Sequence, residues 1–210
     1  MVADRTGSAR CDEGFIRVRR YDLVNVADGG DRSAPYTYDV VERRHLDAVA
    51  VALHDSSRPE PRVMLRVAFR PPLFFRPDQV LPLAEERRTH AIELPAGLIE
   101  DHESGPQGIA ACAARETQEE TGLTVSPAAF HLLGPPVLLS PGLLAEKVHF
   151  LEAEVDLASA QSPAPEGPVE EAGGTLILTL VDALQKLRTG EIDDAKTEIG
   201  LRRLATLLAV

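Results

Sequence analysis

Only two cysteines, Cys11 and Cys112, occur in the 210 residues, and they stand in unrelated contexts. So few exclude a disulfide framework and fit a reducing compartment, so a cytoplasmic location is expected. Long apolar runs are also missing, which leaves no candidate for a membrane-spanning helix. The opening residues MVADRTGSARCDEG lack the apolar stretch that a secretory signal needs. Basic residues are outnumbered: 22 Lys and Arg face 33 Asp and Glu, a formal net charge of −11. That balance disfavours a polyanionic nucleic acid as the main partner. There is no internal repeat, no P-loop and no dinucleotide-binding glycine fingerprint. Neither nucleic acid nor membrane is expected as a partner. A small phosphorylated molecule remains admissible where a divalent metal and a few arginines offset the acidity.

Hydrophobic residues make up 44% of the chain, ample for a core, and the length suits one domain with a small appended element. The chemically dense stretch is RETQEETG, in which Arg115, Glu116, Glu119, Glu120 and Gly122 crowd together. On a helix, Glu116, Glu119 and Glu120 share one face. Three carboxylates so placed repel one another unless something cationic lies between them, and clustered oxygens are the ligands a hard cation prefers. A Pro-Ala-Gly turn precedes this segment. Ser104 or Gly105, before Pro106, offers a helix start, and Gly122 a left-handed stop.

These residues resemble the Nudix box: Gly97, a spaced Glu103, then Arg115, Glu116, Glu119, Glu120, Gly122 and Leu123. The chain departs from the pattern in one place. Eleven residues separate Glu103 from Arg115 where the family usually has seven, and the usual register falls on Gln107. Either Glu103 keeps its part across a four-residue insertion or that part is lost. The resemblance implies an α/β fold, a Nudix-type α/β/α sandwich with a mixed β-sheet. It also implies metal ligation of Mg²⁺, with Mn²⁺ possible, by Glu116, Glu119, Glu120 and the carbonyl of Ala96. Arg115 is expected to buttress the glutamates by ion pairing.

Ahead of the box, residues 14–26 and 36–44 alternate loosely and read as strands around a turn cluster at 27–35. They form a small antiparallel element or, alternatively, the first strands of the core sheet. The domain division expected is 1–45 for the tail and small sheet and 46–210 for the main domain. LDAVAVALHD (46–55) is a buried central strand, and RVMLRVAFRPP (62–72) is a strand stopped by its prolines, with Arg70 at the end. Residues 73–90 form a long, proline-interrupted excursion. Its Phe74 and Phe75 are expected mainly in the core, with packing over a base as the alternative. AIELPAG (91–97) is a short strand running into a turn, with Glu93 beside the helix. Residues 123–156 give two or three strands, TLILTL (175–180) another, and two helices follow, the first closed by Gly190.

Ser-Pro-Gly at 140–142, followed by Glu146-Lys147, and GEIDDAKT at 190–197 are similar to the ADP-ribose pyrophosphatase branch of the Nudix family. That resemblance implies hydrolysis of ADP-ribose to AMP and ribose 5-phosphate. Arg70 would read a phosphate, Glu93 would lie in the substrate site, and Glu119 would serve in catalysis. A mobile loop glutamate, Glu171 or Glu170, would take the proton of the attacking water. It also implies that the N-terminal sheet makes a homodimer. Another nucleoside diphosphate sugar, such as a UDP- or GDP-sugar, is the alternative substrate. A Nudix-fold sensor that binds without turnover is a further reading, disfavoured by the intact Arg-Glu-x-x-Glu-Glu core.

Overall fold

The computed structural model describes residues 3–4, 15–160 and 173–210. Two compact units are present. The first comprises residues 1–46 together with 138–147, and the second comprises 47–137 and 148–210.

In the first unit, β1 (Ala3–Asp4), β2 (Arg17–Leu23) and β3 (Tyr36–Glu42) form an antiparallel sheet in that order, separate from the core sheet. Opposite charges face each other across the β2–β3 ladder, as Arg20 opposes Asp39 and Arg17 opposes Glu42. The 138–147 segment joins this sheet through three contacts. Val41 N donates to Leu143 O at 2.9 Å, Tyr38 Oη donates to Gly142 O at 2.5 Å, and Arg43 forms an ion pair with Glu146. Gly142 of the Ser-Pro-Gly and Glu146 of the Glu-Lys pair therefore contact the N-terminal element.

The second unit is built on a mixed eight-stranded sheet. Strand β4 (Ala48–Asp55) is buried at every position, its apolar run through Leu53 by composition and its last two residues by pairing, His54 with Glu152 and Asp55 with Arg62. It pairs in parallel with β10 (Lys147–Glu154) and antiparallel with β5 (Arg62–Phe69). The β4–β5 ladder extends only through His54–Val63 and Asp55–Arg62, after which the strands splay. Into that gap come β6 (His90–Glu93), paired with β5, and β7 (Ala96–Leu98), paired with β4. The segment expected as one strand and a turn is thus two short strands broken at Leu94-Pro95. β11 (Gly174–Thr179) covers the outer edge of β5, and β8 (His131–Leu132) and β9 (Val137–Leu138) both pair with β10.

Helices cover both faces. On one, α2 (Gly105–Thr121) sets Cys112 and Ala113 against Val49, Val51, Leu53 and Leu151. Ser104 stands at its N-cap, and Gly122, at φ 71°, ends it in the left-handed conformation. On the other face lie α3 (Leu180–Thr189) and α4 (Ala195–Leu208). Gly200 of α4 approaches so closely that a Cβ there would stand 2.4 Å from Leu94 Cδ1.

The excursion after β5 departs from expectation in two ways. It contains a short helix, α1 (Pro71–Phe75), and a 3₁₀ turn at Arg76–Asp78. Phe74 and Phe75 are also not in the core: they are 41% and 58% exposed. Ion pairs hold this segment in place of burial. Arg76 grips Glu85 through two bonds of 2.8 Å, Arg87 pairs with Asp78 at 2.6 Å, and the Arg87 guanidinium lies over the Phe74 ring at 4.6 Å.

Candidate active site

Side chains four residues apart on a strand point to the same face, so β5 aims Arg66 along the direction that Arg70 continues just beyond its end. Arg66 pairs with Glu120 of α2. Arg70 donates Nε to Glu93 Oε1 and Nη2 to Glu93 Oε2, both at 2.8 Å. A third cation, Lys196 of α4, also bonds Glu93 Oε2. Burial opposes ionisation of Glu93, which is 4% exposed. The Arg70 bond and the Lys196 charge outweigh it and hold the carboxyl at about 2. Both Glu93 oxygens are thus taken by protein cations.

That depression carries a sign. A carboxylate held below its unfolded value stabilises the fold above pH 4.5 and loses the contribution as pH falls toward 2. Glu93→Gln is therefore expected to cost about 3 kcal/mol from pH 8 down to about pH 5. The gap to wild type should close at lower pH. Urea denaturation across that range checks it, and a gap that widened on acidification would contradict the assignment.

Arg115 organises the α2 side. It donates Nε and Nη2 to the two oxygens of Glu103, both at 3.0 Å, and Nη2 also reaches Leu98 O at 3.0 Å. Its Nη1 serves Glu116 at 2.6 Å and Glu119 at 3.1 Å. Glu103 further accepts from Glu100 N at 2.9 Å. Burial resists its ionisation, and the Arg115 and backbone bonds overcome that and lower its carboxyl below the ordinary range. Ten of the eleven residues between Glu103 and Arg115 lie inside α2, so the added length is helical, and Glu103 still pairs with Arg115. Burial pushes the Glu116 carboxyl up, with Arg115 offsetting part of the effect. It pushes Glu120 to about 7, against the pull of Arg66 and of a bond from Ala96 N. That bond, 2.9 Å long, ties the β6–β7 turn to the helix. Burial also drives the Cys112 thiol above its ordinary range, and the side chain sits as core beneath the helix.

Gly97 matters through space rather than through its dihedral angles. A Cβ there would stand 1.8 Å from Glu116 Cδ and 1.9 Å from Oε1, so the glycine is what lets this carboxylate lie against the strand turn. Glu116, Glu119, Glu120 and Ala96 are brought to one edge of α2, with Arg70 and Glu93 at the end of β5. Among the described residues, however, no three His, Cys, Asp or Glu side chains converge on one point that would hold a metal ion. Glu116 and Glu119 instead rest on Arg115, and Glu120 on Arg66. The donor set and the Gly97 cradle nonetheless fit a hard cation, since every donor is oxygen. Glu170 and Glu171 lie outside the described residues. Arg66 and Lys196 were not singled out by sequence reasoning. Lys196 stands in the quoted GEIDDAKT, while Arg66 carries no local signal beyond the four-residue spacing to Arg70.

The sandwich, the split strand pair and the glutamate helix docked on it define the class. The chain belongs to the Nudix family, and the family model described as NUDIX domain matches residues 64–197. It is 29% identical to the ADP-ribose pyrophosphatase of Haemophilus influenzae over 91% of this chain and 81% of that one. The GDP-mannose pyrophosphatases of Cronobacter sakazakii and Klebsiella pneumoniae are 37% and 39% identical over 54% and 55% of this chain. The chain spans about half the length of these two relatives, 54% in each case. A solved structure described as "Crystal structure of ADP compounds hydrolase" superposes with a TM-score of 0.66. That match covers 99% of this chain and 92% of the other at 16% identity, a likeness of fold. No helix among the described residues is long and apolar enough to cross a membrane.

Proposed function

We propose that the chain is a divalent-metal-dependent hydrolase of the diphosphate bond in nucleoside diphosphate sugars, acting on ADP-ribose to give AMP and ribose 5-phosphate. The observation that carries this reading is the placement of Glu116, Glu119, Glu120 and Ala96 beside the Arg70–Glu93 pair. The relative that matches along most of the chain bears an ADP-ribose pyrophosphatase name. The higher identity to GDP-mannose pyrophosphatases over a shorter stretch favours a GDP-sugar as the second reading.

Glu116, Glu119, Glu120 and the Ala96 carbonyl are the groups that would hold Mg²⁺ or Mn²⁺. Bound there, the ion would supply charge neutralisation on the non-bridging phosphate oxygens and polarisation of the attacking water. Glu116 and Glu119 would leave Arg115, and Glu120 would leave Arg66, in taking up that duty. Arg70 keeps one edge on Glu93 and offers Nη1, to which no described residue is bonded, to a phosphate oxygen. A phosphate would be bound there in the ground state and more tightly as charge builds. Glu171 or Glu170 accepts the water proton. The protein is assigned to the cytoplasm, as a homodimer formed through its N-terminal sheet.

The test is phosphomonoester release from ADP-ribose, GDP-mannose and a UDP-sugar with Mg²⁺, then with EDTA. Release from at least one is expected, abolished by EDTA and restored by excess Mg²⁺. Binding of ADP-ribose without release under any metal condition would establish the sensor reading instead.

A further inference from the structure

We infer that the GEIDDAKT segment, residues 190–197, sets the orientation of Arg70, and that Lys196 is the positioning residue through which it acts. The inference rests on the phosphate-binding role proposed for Arg70. Nothing in the activity itself requires a C-terminal lysine, and the sequence left this segment without a task.

The segment starts α4 and fastens that start to β6. Asp194 caps the helix, its Oδ2 accepting from Thr197 N at 2.9 Å and from Thr197 Oγ1 at 2.6 Å. With its proton committed to Asp194, the Thr197 hydroxyl oxygen accepts from Leu94 N at 2.9 Å. Thr197 is fully buried, and one turn on, Gly200 leaves room for the Leu94 side chain. The backbone next to Glu93 is therefore pinned to the helix N-terminus. Lys196 Nζ then bonds Glu93 Oε2 and lies 3.0 Å from Asp194 Oδ2. One residue earlier, Asp193 pairs with Arg88, at the end of the excursion that begins beside Arg70.

The Glu93 carboxylate is consequently gripped from both sides, by Arg70 through two parallel bonds and by Lys196 through one oxygen. A bidentate guanidinium takes its orientation from the carboxylate it grips. Arg70 is 47% exposed along its side chain, so no packing fixes it on the solvent side. Without Lys196 the Arg70–Glu93 pair can swing as a unit. The outward Nη1 edge would then lose the preorganisation that makes phosphate binding cheap in entropy.

Lys196→Met and Lys196→Arg test this with three readouts: solvent exchange at Arg70 Nε–H by NMR, affinity for an α,β-methylene analogue of ADP-ribose, and the separation of KM from kcat. The Arg70 signal is assigned by its loss in Arg70→Lys. Lys196→Met should speed Arg70 Nε–H exchange about fivefold or more. It should weaken analogue affinity and raise KM by about 5–10-fold while changing kcat less than about twofold. Lys196→Arg should restore all three. Unchanged Arg70 exchange in Lys196→Met overturns the inference whatever happens to turnover or melting temperature, since a merely structural lysine would move only the latter. Faster Arg70 exchange with no analogue binding, even in wild type, would uphold the positioning role and instead refute phosphate binding by Arg70.

Discussion

Replacing Glu120 with glutamine is expected to lower turnover of the preferred nucleotide sugar about 10²–10³-fold, the cost of removing one group that stabilises transition-state charge. The same change should leave the melting temperature close to that of the wild type, because two effects offset each other. Glutamine keeps the oxygen that accepts from Ala96 N, so the β6–β7 turn stays attached to α2. The charge it removes is one that burial already disfavours, with Glu120 pushed up to about 7. A carboxyl raised above its unfolded value stabilises the fold when protonated and costs stability as pH rises through that value. A neutral isostere escapes that cost near neutral pH. Removing the carboxylate that pairs with the Arg66 guanidinium acts in the other direction and offsets the gain. Steady-state kinetics with saturating Mg²⁺ and a parallel thermal melt decide the matter. Wild-type turnover in Glu120→Gln would remove this residue from the metal-binding set.

Arg115→Met is expected to produce the opposite pattern, a stability loss of about 3–5 kcal/mol, as when one partner of a buried ion pair is removed. Its guanidinium is the shared counter-charge of Glu103, Glu116 and Glu119 and the donor to Leu98 O. Glu103 and Glu116 are both buried and would be left ionised without their cation. Burial would then raise their carboxyls, so the variant should recover stability as pH falls from 7 toward 5. Urea denaturation of both proteins at several pH values measures this. A constant difference across that range would mean that Arg115 contributes packing and not charge.

Much of this was legible in the sequence. The unbroken apolar run of β4, the Gly122 stop of α2 and the Gly190 stop of α3 are local signals, and the chain obeys them. The fate of Glu103 was not legible, because spacing alone does not say that the added residues extend the helix; the Glu103 N to Glu100 O turn ahead of α2 leaves Glu103 within reach of Arg115. Lys196 meets Glu93 across a separation of 103 residues, and Arg66 meets Glu120 across 54. Such pairs exist only once the sheet and helices are assembled. Phe74 and Phe75 misled for a different reason: apolar character argues for burial, but two arginine–carboxylate clasps hold their segment at the surface.

The attachment of residues 138–147 to the N-terminal sheet has a consequence for synthesis on the ribosome. Tyr38 bonds a carbonyl 104 residues downstream. At roughly 5–20 residues per second, the first strands emerge about 5–20 seconds before the segment that completes their unit. During that interval β2 and β3 present an unfinished surface in the crowded cell. Their paired charges, Arg20 with Asp39 and Arg19 with Glu42, suit a hairpin that must stay in solution while it waits.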